Sequence, residues 1–138
     1  MEERPLRFLE AALDAAEEKL IELVRANRLT PDAEGESRVE RIVSELRWVH
    51  KAIREAEGQR DRTYRATQQL RELRSRCLWL YRRLVQEWSF VRKYDLENRL
   101  RQMISPAAFD LYLALEALDL EDDPRALSDE EVTRRLEN

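Results

Sequence analysis

Glycine and proline are scarce in this chain: two glycines (Gly35, Gly58) and four prolines (Pro5, Pro31, Pro106, Pro124) among 138 residues. A β-rich domain of that length needs many more turn residues, so a sheet architecture is excluded at the outset. The single cysteine, Cys77, excludes an internal disulfide and a cysteine-based metal site. The single histidine, His50, excludes the paired Glu-x-x-His motifs of ferritin-like di-iron sites, and the residue three before it is Arg47. The two glycines are far apart, which removes a Gly-rich phosphate loop. No run of about 18 apolar residues occurs, so no membrane partner is expected. The opening Met-Glu-Glu-Arg-Pro has neither the basic nor the apolar region of a signal peptide, and a cytoplasmic protein is the expectation.

What fills the chain is Ala, Leu, Glu and Arg, residues that lose little side-chain entropy in a helix. The expected fold is all-α, and the length suits one domain. Leu6, Leu9, Leu13, Ala16, Leu20 and Leu23 recur at alternating spacings of three and four, a helical seam that begins after Pro5. Thr30-Pro31 reads as a helix start, with Thr30 as the cap and Gly35 weakening the first turn. A second seam follows in Val39, Ile42, Leu46, Val49, Ile53 and Ala56, with His50 at its edge, as a boundary or surface residue. Gly58 and the polar run after it predict a turn, with Asp61 or Thr63 capping the next helix; no proline enforces the break, so a continuous helix bending at Gly58 is the alternative.

The third helix is the long one. Leu70, Leu73, Cys77, Leu80 and Leu84 make its seam, which then shifts register through Trp88 and Val91 to Leu96, Leu100 and Met103. A helix of this length is expected to kink, to break near Tyr94–Asn98, or to project beyond its neighbours. Ser105-Pro106 opens a short apolar fourth helix that ends at the acidic run before Pro124. Ser128 and Glu131 form a capping-box pattern, stapled by Leu127 and Val132, for a last helix too short to stand alone. The expected architecture is a small antiparallel helical bundle of three main helices with a long third, a short fourth helix and a C-terminal cap helix. The segments run about 5–29, 31–57, 63–104, 106–119 and 129–136.

Catalytic chemistry finds little support in these residues. Helical nucleotide pyrophosphatases hold Mg²⁺ with glutamates spaced Glu-Glu-x-x-Glu. The nearest pattern here is Glu17-Glu18-x-x-x-Glu22, with Glu116-x-x-Asp119 almost a hundred residues away. Cys77 sits on the seam between Leu73 and Leu80, the place of a small buried thiol. No catalytic residue, metal or cofactor is expected.

Charge is distributed unevenly. Residues 1–59 carry a net −4, residues 60–101 a net +7, and residues 102–138 a net −7. The basic segment also holds most of the aromatics. Its candidate interaction surface comprises Arg71, Arg74, Trp79, Tyr81, Arg82, Trp88, Phe90, Arg92 and Lys93. Aromatic and Arg side chains are what association surfaces favour, so the expected function is a non-catalytic protein–protein interaction or assembly module that forms a homo-oligomer through the third helix. The alternative is a small nucleic-acid-binding subunit of a larger complex using the Arg60–Arg101 helix. Against it stand the acidic overall balance and the prospect that the first helix, rich in Glu, packs antiparallel to the third and neutralises its arginines.

Overall fold

A computed structural model of the protein describes residues 3–118 and 127–138. Within them the chain forms five helices and no strand: α1 (Glu3–Arg25), α2 (Ala33–Glu57), α3 (Tyr64–Met103), α4 (Pro106–Leu118) and α5 (Asp129–Glu137). The acidic run before Pro124, expected to end α4, lies outside the described residues.

The three seams become one core. All six α1 seam residues are buried, as are Ile42, Leu46, Val49, Ile53 and Ala56 of α2 and Leu70, Leu73, Cys77, Leu80 and Leu84 of α3. Each such leucine or isoleucine contributes roughly 1.5–3 kcal/mol on removal from water. The three main helices run up, down and up. Phe8 near the start of α1 meets Trp48 in the second half of α2, edge to face at 5.6 Å. Near the α2–α3 turn, Arg74 pairs with Glu57 at 3.1 Å. The first and third helices are therefore parallel, which corrects the antiparallel pairing expected of them. Arg76 of α3 reaches Asp14 at 2.6 Å and Glu17 at 2.7 Å, so neutralisation of α3 by α1 is retained in the opposite chain direction.

Helix ends depart from expectation where local backbone chemistry overrides the apolar pattern. α1 stops at Arg25 rather than near residue 29, because Asn27 takes a left-handed conformation (φ 53°). The Arg28 N–H then donates to Leu23 O and the Asn27 N–H to Val24 O, the paired bonds of a Schellman cap. Leu29, freed from the helix, turns inward and is buried. At the start of α2 the cap is Asp32 rather than Thr30: its carboxylate accepts from the Gly35 N–H at 2.8 Å, and the Thr30 hydroxyl donates to the same oxygen. Those two bonds hold the Asp32 carboxyl below its ordinary range, the Gly35 bond contributing most. Gly35 is buried, and a Cβ there would lie 1.6 Å from Thr30 O, so the loop closes only over a residue without one.

Gly58 separates α2 from α3, and Thr63 caps α3 by accepting from the Ala66 N–H at 3.1 Å. The break expected near Tyr94–Asn98 does not occur, and the long helix projects beyond its neighbours: α3 is a continuous helix of 40 residues. Its fifteen-residue excess over α2 corresponds to about 22 Å.

Two glycine substitutions should part company in chemical denaturation. Gly35→Ala forces a methyl group into a backbone carbonyl and should cost about 1–3 kcal/mol. Gly58→Ala meets nothing closer than 3.4 Å and keeps a right-handed backbone, so it should be neutral or stabilise by up to about 1 kcal/mol. Leu80→Ala, a core deletion at a residue 2% exposed, should lose about 2–5 kcal/mol.

Candidate interaction surface

α3 contacts all four other described helices, and this divides its length into a body and an arm. In the body, α1 and α2 cover the leucine seam while α5 covers a second stripe. Val132 and Leu136 of α5 are buried in the common core together with Leu78 and Tyr81 of α3. Arg82 fastens the approach to α5, donating to Leu127 O at 2.9 Å and pairing with Asp129. On the α2 side, Arg47 donates to Arg135 O and Arg54 faces Glu137. Ser128 caps α5 by accepting from the Glu131 N–H at 3.2 Å, but the expected capping box closes only halfway. The Glu131 carboxylate takes Arg134 and Arg135 instead, and these two bonds lower its pKa to about 2.

α5 also explains the placement of His50. Expected at a boundary or on the surface, it is 1% exposed, because α5 lies over that face of α2. Its Nε2 has no hydrogen-bond partner among the described residues. Burial lowers the imidazole pKa below 6.5; the nearby charges of Glu137 on α5, Arg54 and Glu57 on α2, and Arg74 on α3 pull in both directions. Cys77 is fully buried, donates to Leu46 O at 3.5 Å and is pushed up to about 12 by burial, which leaves an inert thiol.

The arm begins where coverage by the body ends. Val85 and Val91 are the last α3 residues packed against the core. Ser105 caps α4 by accepting from the Ala108 N–H at 3.3 Å, and α4 folds back along α3. Lys93 meets Glu116 at 3.6 Å, the Tyr112 phenol feels Glu97 as well as Glu116, and Arg101 stacks over Phe109 at 5.0 Å. These pairs define an antiparallel hairpin. Among the described helices α4 touches only α3, and apart from Asp110 and Glu116 it carries no charge.

The nine sequence-derived surface residues divide between these regions. Tyr81 is buried and is no part of a surface, because α5 covers it. Arg74 and Arg82 are engaged by Glu57 and Asp129. Arg71 is exposed on the body, and Trp79 is half exposed with Arg83 over its ring. Trp88 is half-buried at the junction. Phe90, exposed and stacked on Tyr94, stands on the arm with Arg92 and Lys93. The nine do not form one patch.

Sequence reasoning missed the apolar exposure of the arm. Among the described residues eleven large hydrophobics are exposed, and seven of them lie between Phe90 and Leu115: Phe90, Tyr94, Leu96, Met103, Leu111, Leu113 and Leu115. The signal was present in α4, which is apolar on more than one side: Leu113 stands opposite the Leu111 and Leu115 stripe, and the helix has only two charged residues. Among the described residues no three His, Cys, Asp or Glu side chains are grouped to hold a metal ion. Glu17 bonds Arg76 and Glu116 pairs with Lys93, on separate parts of the molecule; Asp119 lies outside the described residues. No described helix is long and apolar enough to cross a membrane. No protein-family model, curated protein or solved structure matches the chain.

Two measurements test the docking of α5. Ser128→Ala should cost about 1 kcal/mol, read as earlier loss of amide protection in α5 than in α1. The neutral form of His50 is favoured in the fold, so the unfolded chain binds its proton more readily. The stability contributed by neutral His50 is complete above pH 6.5 and falls as pH drops below it. The denaturation midpoint should decline between about pH 7 and pH 5, and His50→Leu should flatten that decline.

Proposed function

We propose that the chain is a non-catalytic helical interaction and assembly module whose working surface is the α3–α4 arm. The observation that carries this reading is the concentration of exposed apolar side chains on a hairpin that the body leaves uncovered. An exposed patch of this kind is costly for a monomer to keep and marks an association site. The arm is also dispensable to the core: its apolar residues other than Val91 lie outside the central cluster.

The same geometry weakens the nucleic-acid alternative. Four of the basic side chains that would track phosphates are paired within the chain: Arg74 with Glu57, Arg76 with Asp14 and Glu17, Arg82 with Asp129, and Lys93 with Glu116. Aromatics that could stack bases, Trp79 and Phe90, are separated by buried and half-buried residues and take Arg83 and Tyr94 as their neighbours.

The reading is tested on two sides. In dilute protein, Leu111→Ser should leave unfolding free energy within about 0.5 kcal/mol, as an exposed position allows; a loss of several kcal/mol would show that the arm is structural core. Single- and double-stranded oligonucleotides, titrated at low and moderate salt, should bind weakly or not at all. Affinity that collapses with salt, implying several phosphate contacts, would overturn the reading in favour of the basic segment.

A further inference from the structure

We infer that the arm's partner is the same arm of a second copy, the two hairpins closing into a four-helix bundle about a two-fold axis; this rests on the arm being the interaction surface. The hairpin has one side suited to that role. The α4-facing side of α3 is marked by Lys93, Glu97 and Arg101, and the α3-facing side of α4 by Phe109, Tyr112 and Glu116. At about 100° per residue, Leu96, Leu100 and Met103 stand roughly a quarter-turn from the first side. Ala108, Leu111 and Leu115 stand roughly a quarter-turn from the second, in the same rotational sense when each helix is viewed from its own N-terminus. In an antiparallel pair, equal senses fall on one side of the hairpin. Two stripes with heptad-like spacing therefore lie next to each other with no described helix over them, half of the cross-section of a four-helix bundle.

Area and charge both favour a second copy. Leu96, Met103, Leu111 and Leu115 are 46%, 80%, 62% and 59% exposed. With roughly 150–200 Å² available to each free side chain, these four leave roughly 400–500 Å² uncovered per copy. Doubled by symmetry and extended by Leu100, Ala108 and the flanking stems, the contact reaches the about 1,000 Å² that a specific interface requires. Residues 90–118 carry four basic and four acidic groups, a net charge of zero in a chain whose segments are otherwise strongly charged. Two arms meet without repulsion, while a strongly acidic or basic partner finds no field to steer it. A two-fold axis also presents each stripe to an identical length of helix, so the contact closes and does not propagate into a fibre.

Light scattering after size exclusion, over a dilution series at low and about 0.5 M salt, tests the inference. The expected mass is twice the 16.5 kDa of the chain at both salts. Leu111→Glu combined with Leu115→Glu should return it to one chain mass with helix content retained. Trp48→Glu, an exposed aromatic of the body, should stay dimeric. Should the double variant not fold, Leu96→Gln on the other helix should still raise the dissociation constant at least about tenfold. A single chain mass at every concentration, a dimer that survives the double substitution, or an unchanged constant for Leu96→Gln overturns the inference. Each of these leaves the broader reading standing, because that reading fails on a different result: loss of stability in dilute Leu111→Ser, or salt-sensitive oligonucleotide binding.

Discussion

Burial of α3 along two stripes organises the whole molecule. The leucine seam faces α1 and α2, and the Leu78–Tyr81 side faces α5. A helix apolar on two sides cannot be satisfied by a three-helix bundle alone. The nine-residue α5, which would melt as an isolated peptide, exists as a helix because it supplies Val132 and Leu136 to that second side. Hydrophobic burial brings it there, and Arg82 fixes its entry by binding Leu127 O and Asp129 together.

Much of the fold was legible because leucine periodicity is a direct record of burial. The α1 seam, the α2 seam from Ile42 to Ala56 and the α3 seam from Leu70 to Leu84 are buried where the three–four spacing places them, whereas the continuation of the α3 seam to Leu96 and Met103 is exposed because the body ends before it. The misreadings have separate physical origins. Asn27 ended α1 through a left-handed backbone that apolar spacing does not encode, and Asp32 outcompeted Thr30 because its carboxylate can reach Gly35 N–H while receiving the Thr30 hydroxyl. His50 and Tyr81 were placed by α5, whose docking site depends on tertiary contact and not on its own pattern. The parallel course of α1 and α3 follows from an up-down-up path, on which charge complementarity is silent, and Arg76 finds Asp14 and Glu17 in that arrangement.

The candidate surface was half legible for a related reason. Aromatic and basic richness singled out α3, yet composition does not distinguish side chains that the fold consumes from those it leaves out. Arg74, Tyr81 and Arg82 are consumed; Phe90, Leu111, Leu113 and Leu115 are left out. The segment charges of −4, +7 and −7 thus describe internal pairing as much as any outward field.

The continuity of α3 has a mechanical consequence. One backbone ladder runs from the core to the tip of the arm without a joint. A load taken up near Met103 is carried as bending and torsion of a single helix into the Leu70–Leu84 seam, with Val85–Val91 as the fulcrum. The molecule is a lever with its longer end clamped, and whatever grips the hairpin also grips the core.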